Sequence, residues 1–288
     1  MRIGRFAPTP SGPLHLGSLL SAVGSWLDAT RDGVCLLRID DLDTPRCRLE
    51  HEASILRALQ AFGLEYPANI LRQSTRGAAY ALALSQLQQR LPLFHCDCTR
   101  RELAVGAEPC CVRDCRLTSR DPANSSLRAD LRELAPMHVR DRSLGDIVFD
   151  PRAQRDVIVR RRDGIIAYHL ACVVDDAAQG VTDVVRGADL LPGTSWQLAL
   201  HQALSLTPPE YLHLPLVIES DGQKLAKSRH SVPLDAAAAP ASLRQVLRWL
   251  KQKDPPADIS SVAGLLSVAR SQWEPERFAG LQSVSVDH

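Results

Sequence analysis

Arg5-Phe6-Ala7-Pro8-Thr9-Pro10-Ser11-Gly12-Pro13-Leu14-His15-Leu16-Gly17-Ser18 passes from an apolar segment through a loop of turn-forming residues into a helical pattern. Upstream, Ile3 to Ala7 reads as a short strand. Downstream, Leu19, Leu20, Val23, Trp26 and Leu27 recur on one helical face, which predicts a helix from about Gly17 to Arg31 with Gly33 as its terminator. Val34 to Ile39 is a second compact apolar strand, and it runs into the acidic stretch Asp40-Asp41-Leu42-Asp43. Strand, helix and strand make a β-α-β unit, with the acids at a strand's carboxyl end, where open α/β sheets bind ligands. The loop also delivers a helix N-terminus, whose free N–H groups and positive dipole end suit phosphate. His15 can donate to a phosphate oxygen there, and Gly17, lacking a Cβ, lets an adenine or ribose pack against its backbone.

Helical spacing continues through Ile55, Leu59 and Phe62 to a stop at Gly63, and again through Tyr80, Leu84 and Leu87. From about Cys96 to Asn124 the chain becomes loop-like and cysteine-rich, and strand-like segments follow at Met137–Arg140, Ile147–Phe149 and Val157–Arg160. The α/β rhythm returns with Ile165 to Val174 leading into Asp175-Asp176, a strand Val181 to Val185, a turn at Arg186-Gly187 and a helix near Ser195 to Leu206. The expected organisation is an α/β, Rossmann-like parallel sheet in two halves, 1–93 and 156–230, with an insertion at 94–155. A short helical tail, 231–288, has one helix on Leu243, Val246, Leu247 and Leu250.

The chain of 288 residues is 45% hydrophobic and 23% charged, an ordinary soluble globular composition. With 34 Lys+Arg against 33 Asp+Glu, a polyanion partner must be met by local patches, which excludes a general nucleic-acid coat or membrane-surface protein. No apolar run is long enough to span a bilayer, and Met1-Arg2-Ile3-Gly4-Arg5-Phe6 lacks the pattern of an export signal, so a cytoplasmic protein is expected. A monomer is the expected state, although no residue pattern fixes it. Eight cysteines in such a chain do not suggest a disulfide framework. Five of them, Cys96, Cys98, Cys110, Cys111 and Cys115, crowd into one segment. Cys96-Asp97-Cys98 and Cys111-Val112-Arg113-Asp114-Cys115 can converge as four tetrahedral thiolates on zinc, with Cys110 an alternative to Cys111. Four protein ligands leave no open position, so such a site is structural.

Far downstream, Asp221-Gly222-Gln223-Lys224-Leu225-Ala226-Lys227-Ser228 is a turn followed by two lysines and a hydroxyl. Mobile ammonium groups can neutralise charge that builds on a triphosphate as pyrophosphate leaves. A His-x-Gly turn or a basic loop alone is commonplace; the two in this order, with Rossmann-like rhythm between them, point to nucleotidyl transfer.

In these features the sequence resembles class I aminoacyl-tRNA synthetases. His15-Leu16-Gly17-Ser18 stands where that family has His-Ile-Gly-His, and Lys224-Leu225-Ala226-Lys227-Ser228 where it has Lys-Met-Ser-Lys-Ser. Arg5 to Gly12, Arg38-Ile39-Asp40-Asp41-Leu42-Asp43 and Gly180 to Asp189 look like the glutamyl branch, and the motifs span the chain from Arg5 to Ser228. That branch carries a large helical anticodon-binding region after its second signature, whereas this chain ends at His288. The shortened form and the cysteine cluster resemble the paralogues that attach glutamate to the queuosine base of tRNA(Asp). The other readings are a shortened synthetase that charges a tRNA 3′ end and a non-catalytic RNA-binding paralogue.

The resemblance implies ATP with Mg2+, glutamate and a queuosine-containing tRNA(Asp) as partners, and tRNA-independent formation of a glutamyl adenylate. It implies catalysis by His15, Gly17, Lys224 and Lys227, and ATP binding by His15, Gly17, Ser18 and Lys227. Arg5, Ala7, Thr9, Asp40, Tyr168 and Arg186 would bind glutamate, Arg186 and Arg5 through guanidinium groups suited to carboxylates and Asp40 through the α-ammonium. Family spacing favours Cys111 over Cys110, giving structural Zn2+ on Cys96, Cys98, Cys111 and Cys115. Two positions depart from the pattern: Asp40 replaces the usual glutamate, one methylene longer, and Ala226 replaces a serine.

Overall fold

A computed structural model of the chain describes residues 1–99, 102, 115–153, 156–219, 222, 225 and 232–286. The opening unit is the expected one: β1 (Arg2–Phe6), α1 (Leu16–Thr30) and β2 (Gly33–Ile39), with the strands parallel and Phe6 opposite Leu37. Helix α1 lies tight on the sheet; a Cβ on Gly4 would sit 2.7 Å from the Ala29 Cβ, closer than any side chain permits. Helix α2 (Leu49–Ala61) ends, as its spacing predicts, just before Gly63, whose φ of +65° is the left-handed conformation that closes helices. A short β3 (Leu71–Arg72) adds to β2 in parallel, and α3 (Gly77–Gln88) follows.

After a segment holding β4 (Leu93–Cys96), β5 (Ser126–Ala129), β6 (Met137–Asp141), β7 (Gly145–Phe149) and β8 (Val157–Arg160), the parallel pattern resumes. It comprises α4 (Tyr168–Ala178), β9 (Asp183–Gly187), α5 (Leu191–Leu204) and β10 (Glu210–Leu214), with β9 and β10 parallel. The two halves meet at β1 and β9, where the Thr182 amide donates to the Ile3 carbonyl and the Ile3 amide to Thr182 Oγ1, both at 2.9 Å. Across the molecule the strands therefore succeed one another as β3-β2-β1-β9-β10-β6-β7. The chain winds outward in opposite senses from β1 and β9, and such a reversal opens a crevice at the strands' carboxyl ends.

The interrupting segment is divided between two sheets. β4, β5 and β8 form an antiparallel sheet of their own, so Val157–Arg160 pairs here although it lies beyond residue 155. The hairpin β6–β7, inside 94–155, joins the main sheet through Tyr211 opposite Asp141. Met137 and Phe149 explain why: they are buried in the apolar cluster that α3, α4 and α5 share with the main sheet.

The tail packs as part of the body. It has two helices, α6 (Ala239–Trp249) and α7 (Val262–Ser271), and a last strand β12 (Ser283–Ser285) parallel to β11 (Leu216–Ile218). The expected single helix is α6; α7, in Val262-Ala263-Gly264-Leu265-Leu266-Ser267, has weak intrinsic propensity and starts on a Ser261 cap that accepts from the Gly264 amide. Trp249, Trp273 and Phe278 bury against Leu19, Val23 and Leu27 of α1. Asp28, fully buried on α1, accepts from Trp273 Nε1 and from Arg142 Nη1, both at 3.0 Å, which ties tail, helix and hairpin loop together. Among the described residues, no helix is long and apolar enough to cross a membrane.

Candidate active site

A cavity of about 470 Å3 opens at the crevice between the carboxyl ends of β1 and β9. Arg5, Ala7, Thr9, His15, Gly17, Ser18, Tyr168 and Arg186 all line it, so eight residues picked from the sequence meet in one wall although Arg5 and Arg186 are far apart in the chain. Its volume suits a nucleotide and a small amino acid in part, as expected of a ligand cleft. Lys224, Lys227 and Cys111 lie outside the described residues.

His15 is the N-cap of α1, and its side chain has a defined job. Nδ1 accepts from the Ser18 amide at 3.3 Å while Ser18 Oγ accepts from the His15 amide at 3.0 Å, a reciprocal capping box. With Nδ1 committed as acceptor, the neutral ring carries its proton on Nε2, which makes that nitrogen the donor. The helix N-terminus, the His15 Nε2–H and the Gly17 backbone thus share one edge of the cavity.

Two guanidinium groups also line the cavity. Arg5, 5% exposed, donates through Nε to Asp176 at 3.3 Å and through Nη1 to the Val185 carbonyl at 3.4 Å. Asp176, on α4, also pairs with fully buried Arg38. Burial works against ionisation of Asp176, but Arg38 and Arg5 outweigh it and hold the carboxyl below its usual range. Arg186, also 5% exposed, has only neutral partners: Gln197 Oε1 at 2.6 Å, Thr194 Oγ1 at 2.7 Å and His213 Nε2 at 3.3 Å. Among the described residues no carboxylate comes within ion-pair distance of it. A buried cation with no carboxylate in contact, its nearest charge partner being Asp176 at longer range, is costly, so this part of the cavity favours an anionic occupant.

Asp40 is placed differently from the rest. Its carboxylate does not line the cavity; it is buried and accepts from Arg38 Nε at 2.7 Å. Burial pushes the Asp40 carboxyl above its usual range, with Arg38 opposing. The neighbouring Asp41 accepts from the Ser74 amide at 2.8 Å and the Ser74 hydroxyl at 2.6 Å, so it too is committed. The side chain one methylene shorter than the family's glutamate ends on an arginine behind the wall.

In the interrupting segment the Sγ atoms of Cys96, Cys98 and Cys115 all lie within 4.8 Å of one another. Cys96 and Cys115 are buried and Cys98 half-buried, and Cys98 Sγ is 3.8 Å from Cys115 Sγ. Thiolates at tetrahedral zinc with bonds of about 2.3 Å stand about 3.8 Å apart, so these three can hold one ion. Burial and the adjoining thiols push the Cys98 thiol up, a cost that a bound cation reverses.

A family model described as class I tRNA synthetases (E and Q), catalytic domain, matches residues 3–240. The chain belongs to this family. The synthetase is 43% identical over 287 residues to the glutamyl-Q tRNA(Asp) synthetase of Pseudomonas entomophila, covering 98% of this chain and 96% of that one. It is 44% identical over 292 residues to the protein of the same name from Xanthomonas campestris pv. campestris, covering 98% and 94%. Among solved structures it resembles a glutamate tRNA ligase from Elizabethkingia meningosepticum in complex with its amino acid. There the TM-score is 0.78 at 23% identity, over 99% of this chain and 67% of the ligase. That likeness bears on the fold, and it agrees with the class I architecture expected from the sequence.

Several residues that shape this synthetase's wall are silent in the sequence. Asp176 stands in no motif, Arg38 opens a quoted motif that gives it no role, Thr194, Gln197 and His213 reach Arg186 from α5 and β10, and Asp141 of β6 reaches His213. The one available signal was the Asp175-Asp176 pair; a buried acid on a helix calls for a cation, but nothing local says which one.

Proposed function

We propose that the synthetase uses ATP to activate glutamate as its adenylate, without tRNA, and then passes the glutamyl group to the queuosine base of tRNA(Asp) in the cytoplasm. The observation that carries this reading is Arg186, a buried guanidinium on neutral partners that lines the same cavity as a helix N-terminus. An amino acid with a second carboxylate supplies the missing counter-charge, and the names of the relatives point to glutamate and to this acceptor.

In the first step a substrate α-carboxylate oxygen attacks the ATP α-phosphorus. The bond to the bridging oxygen breaks, and pyrophosphate leaves with the electron pair. In the second, an RNA hydroxyl oxygen attacks the acyl carbon, AMP departs, and the hydroxyl proton passes to solvent. His15 Nε2–H and the first amides of α1 hold phosphate oxygens; Gly17 and Ser18 receive the nucleoside, with Mg2+ accompanying the triphosphate. Lys227, helped by Lys224, neutralises charge on the departing pyrophosphate. Arg186 and Arg5 orient the carboxylates while Ala7, Thr9 and Tyr168 shape the amino-acid pocket. Asp40 acts from behind the wall, through Arg38, rather than on the ammonium group. Cys96, Cys98 and Cys115, with Cys111 as the expected fourth ligand, would hold a structural Zn2+ that would tie the interrupting segment together.

The test is to offer ATP and labelled glutamate with tRNA(Asp) containing queuosine, tRNA(Asp) lacking it, and tRNA(Glu). Label on the first alone is expected. Label on tRNA(Glu) would replace this reading with a shortened synthetase that charges a 3′ end; no label and no glutamate-dependent pyrophosphate exchange would leave a binding protein.

A further inference from the structure

We infer that Asp141 and His213 are positioning residues for the Arg186 guanidinium, fixing through the imidazole tautomer which of its N–H groups face the cavity. Asp141 closes β6 and is 2% exposed. Its Oδ1 accepts from the Ser143 and Leu144 amides at 2.9 and 2.8 Å, and its Oδ2 lies 2.6 Å from His213 Nδ1. An ionised carboxylate only accepts, so the proton between them belongs to Nδ1. The neutral ring then presents a lone pair at Nε2, which accepts from Arg186 Nε–H at 3.3 Å, with Thr194 Oγ1 also at 3.3 Å. A proton on Nε2 would instead set two donors against each other.

The rest of the surroundings leave the ring little freedom. His213 is fully buried, stacks on Tyr211 with ring centroids 5.9 Å apart, and Tyr211 also faces the guanidinium at 5.1 Å. Burial holds the imidazole below its ordinary range, against the pull of Asp141, which keeps the neutral form. With Nε on His213, Nη1 on Gln197 and Nη2 on Thr194, three of the five N–H groups are occupied and the remainder are aimed by elimination. Asp141 comes from the hairpin that interrupts the two Rossmann halves, 72 residues from His213 in the chain. The interrupting segment thereby sets the geometry of the catalytic cavity.

The functional readout of this inference rests on Arg186 anchoring glutamate; the tautomer readout does not. Asp141→Asn keeps an oxygen for the Ser143 and Leu144 amides but turns an NH2 toward His213 Nδ1, and toward the His213 amide that donates to Oδ2 at 3.2 Å in the wild type, which drives the ring proton to Nε2. His213→Leu removes the acceptor, and His213→Gln returns an amide oxygen near the Nε2 position. In glutamate-dependent ATP–pyrophosphate exchange, Asp141→Asn and His213→Leu should raise the glutamate KM by about tenfold, the worth of one charged hydrogen bond, with the ATP KM unchanged. His213→Gln should recover most of that loss. 15N NMR of the imidazole should show Nδ1 protonated and Nε2 bare in the wild type, and the reverse in Asp141→Asn. A wild-type ring protonated on Nε2, an unchanged glutamate KM, or equal rises in both KM values would overturn the inference. If the wild type shows no glutamate-dependent exchange, the activity assignment has failed and the NMR result alone decides the positioning role.

Discussion

Arg186→Lys keeps the positive charge and removes the planar fork, so it separates geometry from electrostatics. The guanidinium is 5% exposed and reaches Gln197 at 2.6 Å, Thr194 at 2.7 Å and His213 at 3.3 Å while still facing the cavity. An ammonium has three donors on one atom and cannot span acceptors set around a fork while also gripping a carboxylate in bidentate fashion. The variant therefore loses one to two charge-assisted hydrogen bonds to the ligand, each worth about 1.5–3 kcal/mol, for a total of about 1.5–6 kcal/mol. At about 1.4 kcal/mol per factor of ten, the glutamate KM should rise at least roughly 10-fold and at most roughly 20,000-fold. In the proposed arrangement ATP is held by His15 and Gly17 and not by Arg186, so its KM should stay near the wild-type value. The assay is ATP–pyrophosphate exchange with each substrate varied in turn, alongside a melting curve to establish folding. A folded Arg186→Lys with a glutamate KM within threefold of wild type would refute the claim that the buried fork is the anchor.

Burial holds the His201 imidazole down to about 4, and among the described residues its Nδ1 has no hydrogen-bond partner. The unfolded ring takes its proton near pH 6.5, so between those values the unfolded state binds more protons and stability falls as the pH drops. Urea unfolding at pH 7 and pH 5 should show the wild type losing about 2 kcal/mol more than His201→Gln. Cys98→Ser should leave the purified protein short of zinc by elemental analysis and lower its melting temperature; full zinc occupancy in that variant would remove Cys98 from the ligand set. Asp28→Asn strips the buried charge that Arg142 and Trp273 share and should cost about 3 kcal/mol in chemical denaturation, a loss that Arg142's partial exposure keeps at the low end.

The legible features were local ones. The β-α-β unit announced itself through apolar periodicity and turn residues: the helix expected from Gly17 to Arg31 runs Leu16–Thr30, and the strand from Val34 to Ile39 runs Gly33–Ile39. Gly63 ends α2 because a left-handed residue is wanted there, whatever packs nearby. Cys96, Cys98 and Cys115 cluster because ligand pairs close in sequence need only one loop to bring them together. Arg5, His15, Gly17, Tyr168 and Arg186 share one wall because a parallel sheet collects its strand ends along one edge.

Partnership across long chain separations had no local signature. That Arg38 binds Asp176 depends on a contact between residues 138 apart in the chain, which exists only once β2 and α4 are packed. The hairpin β6–β7 pairs with β10, and β8 with β5, because burial of Met137 and Phe149 and of the β5 edge selects among strands that look alike in sequence. Arg186 could be picked out by type and position, but its neutral surroundings could not. A side chain's charge is written in the sequence, whereas the dielectric and the hydrogen-bond partners that give it a task arise only when the whole core closes around it.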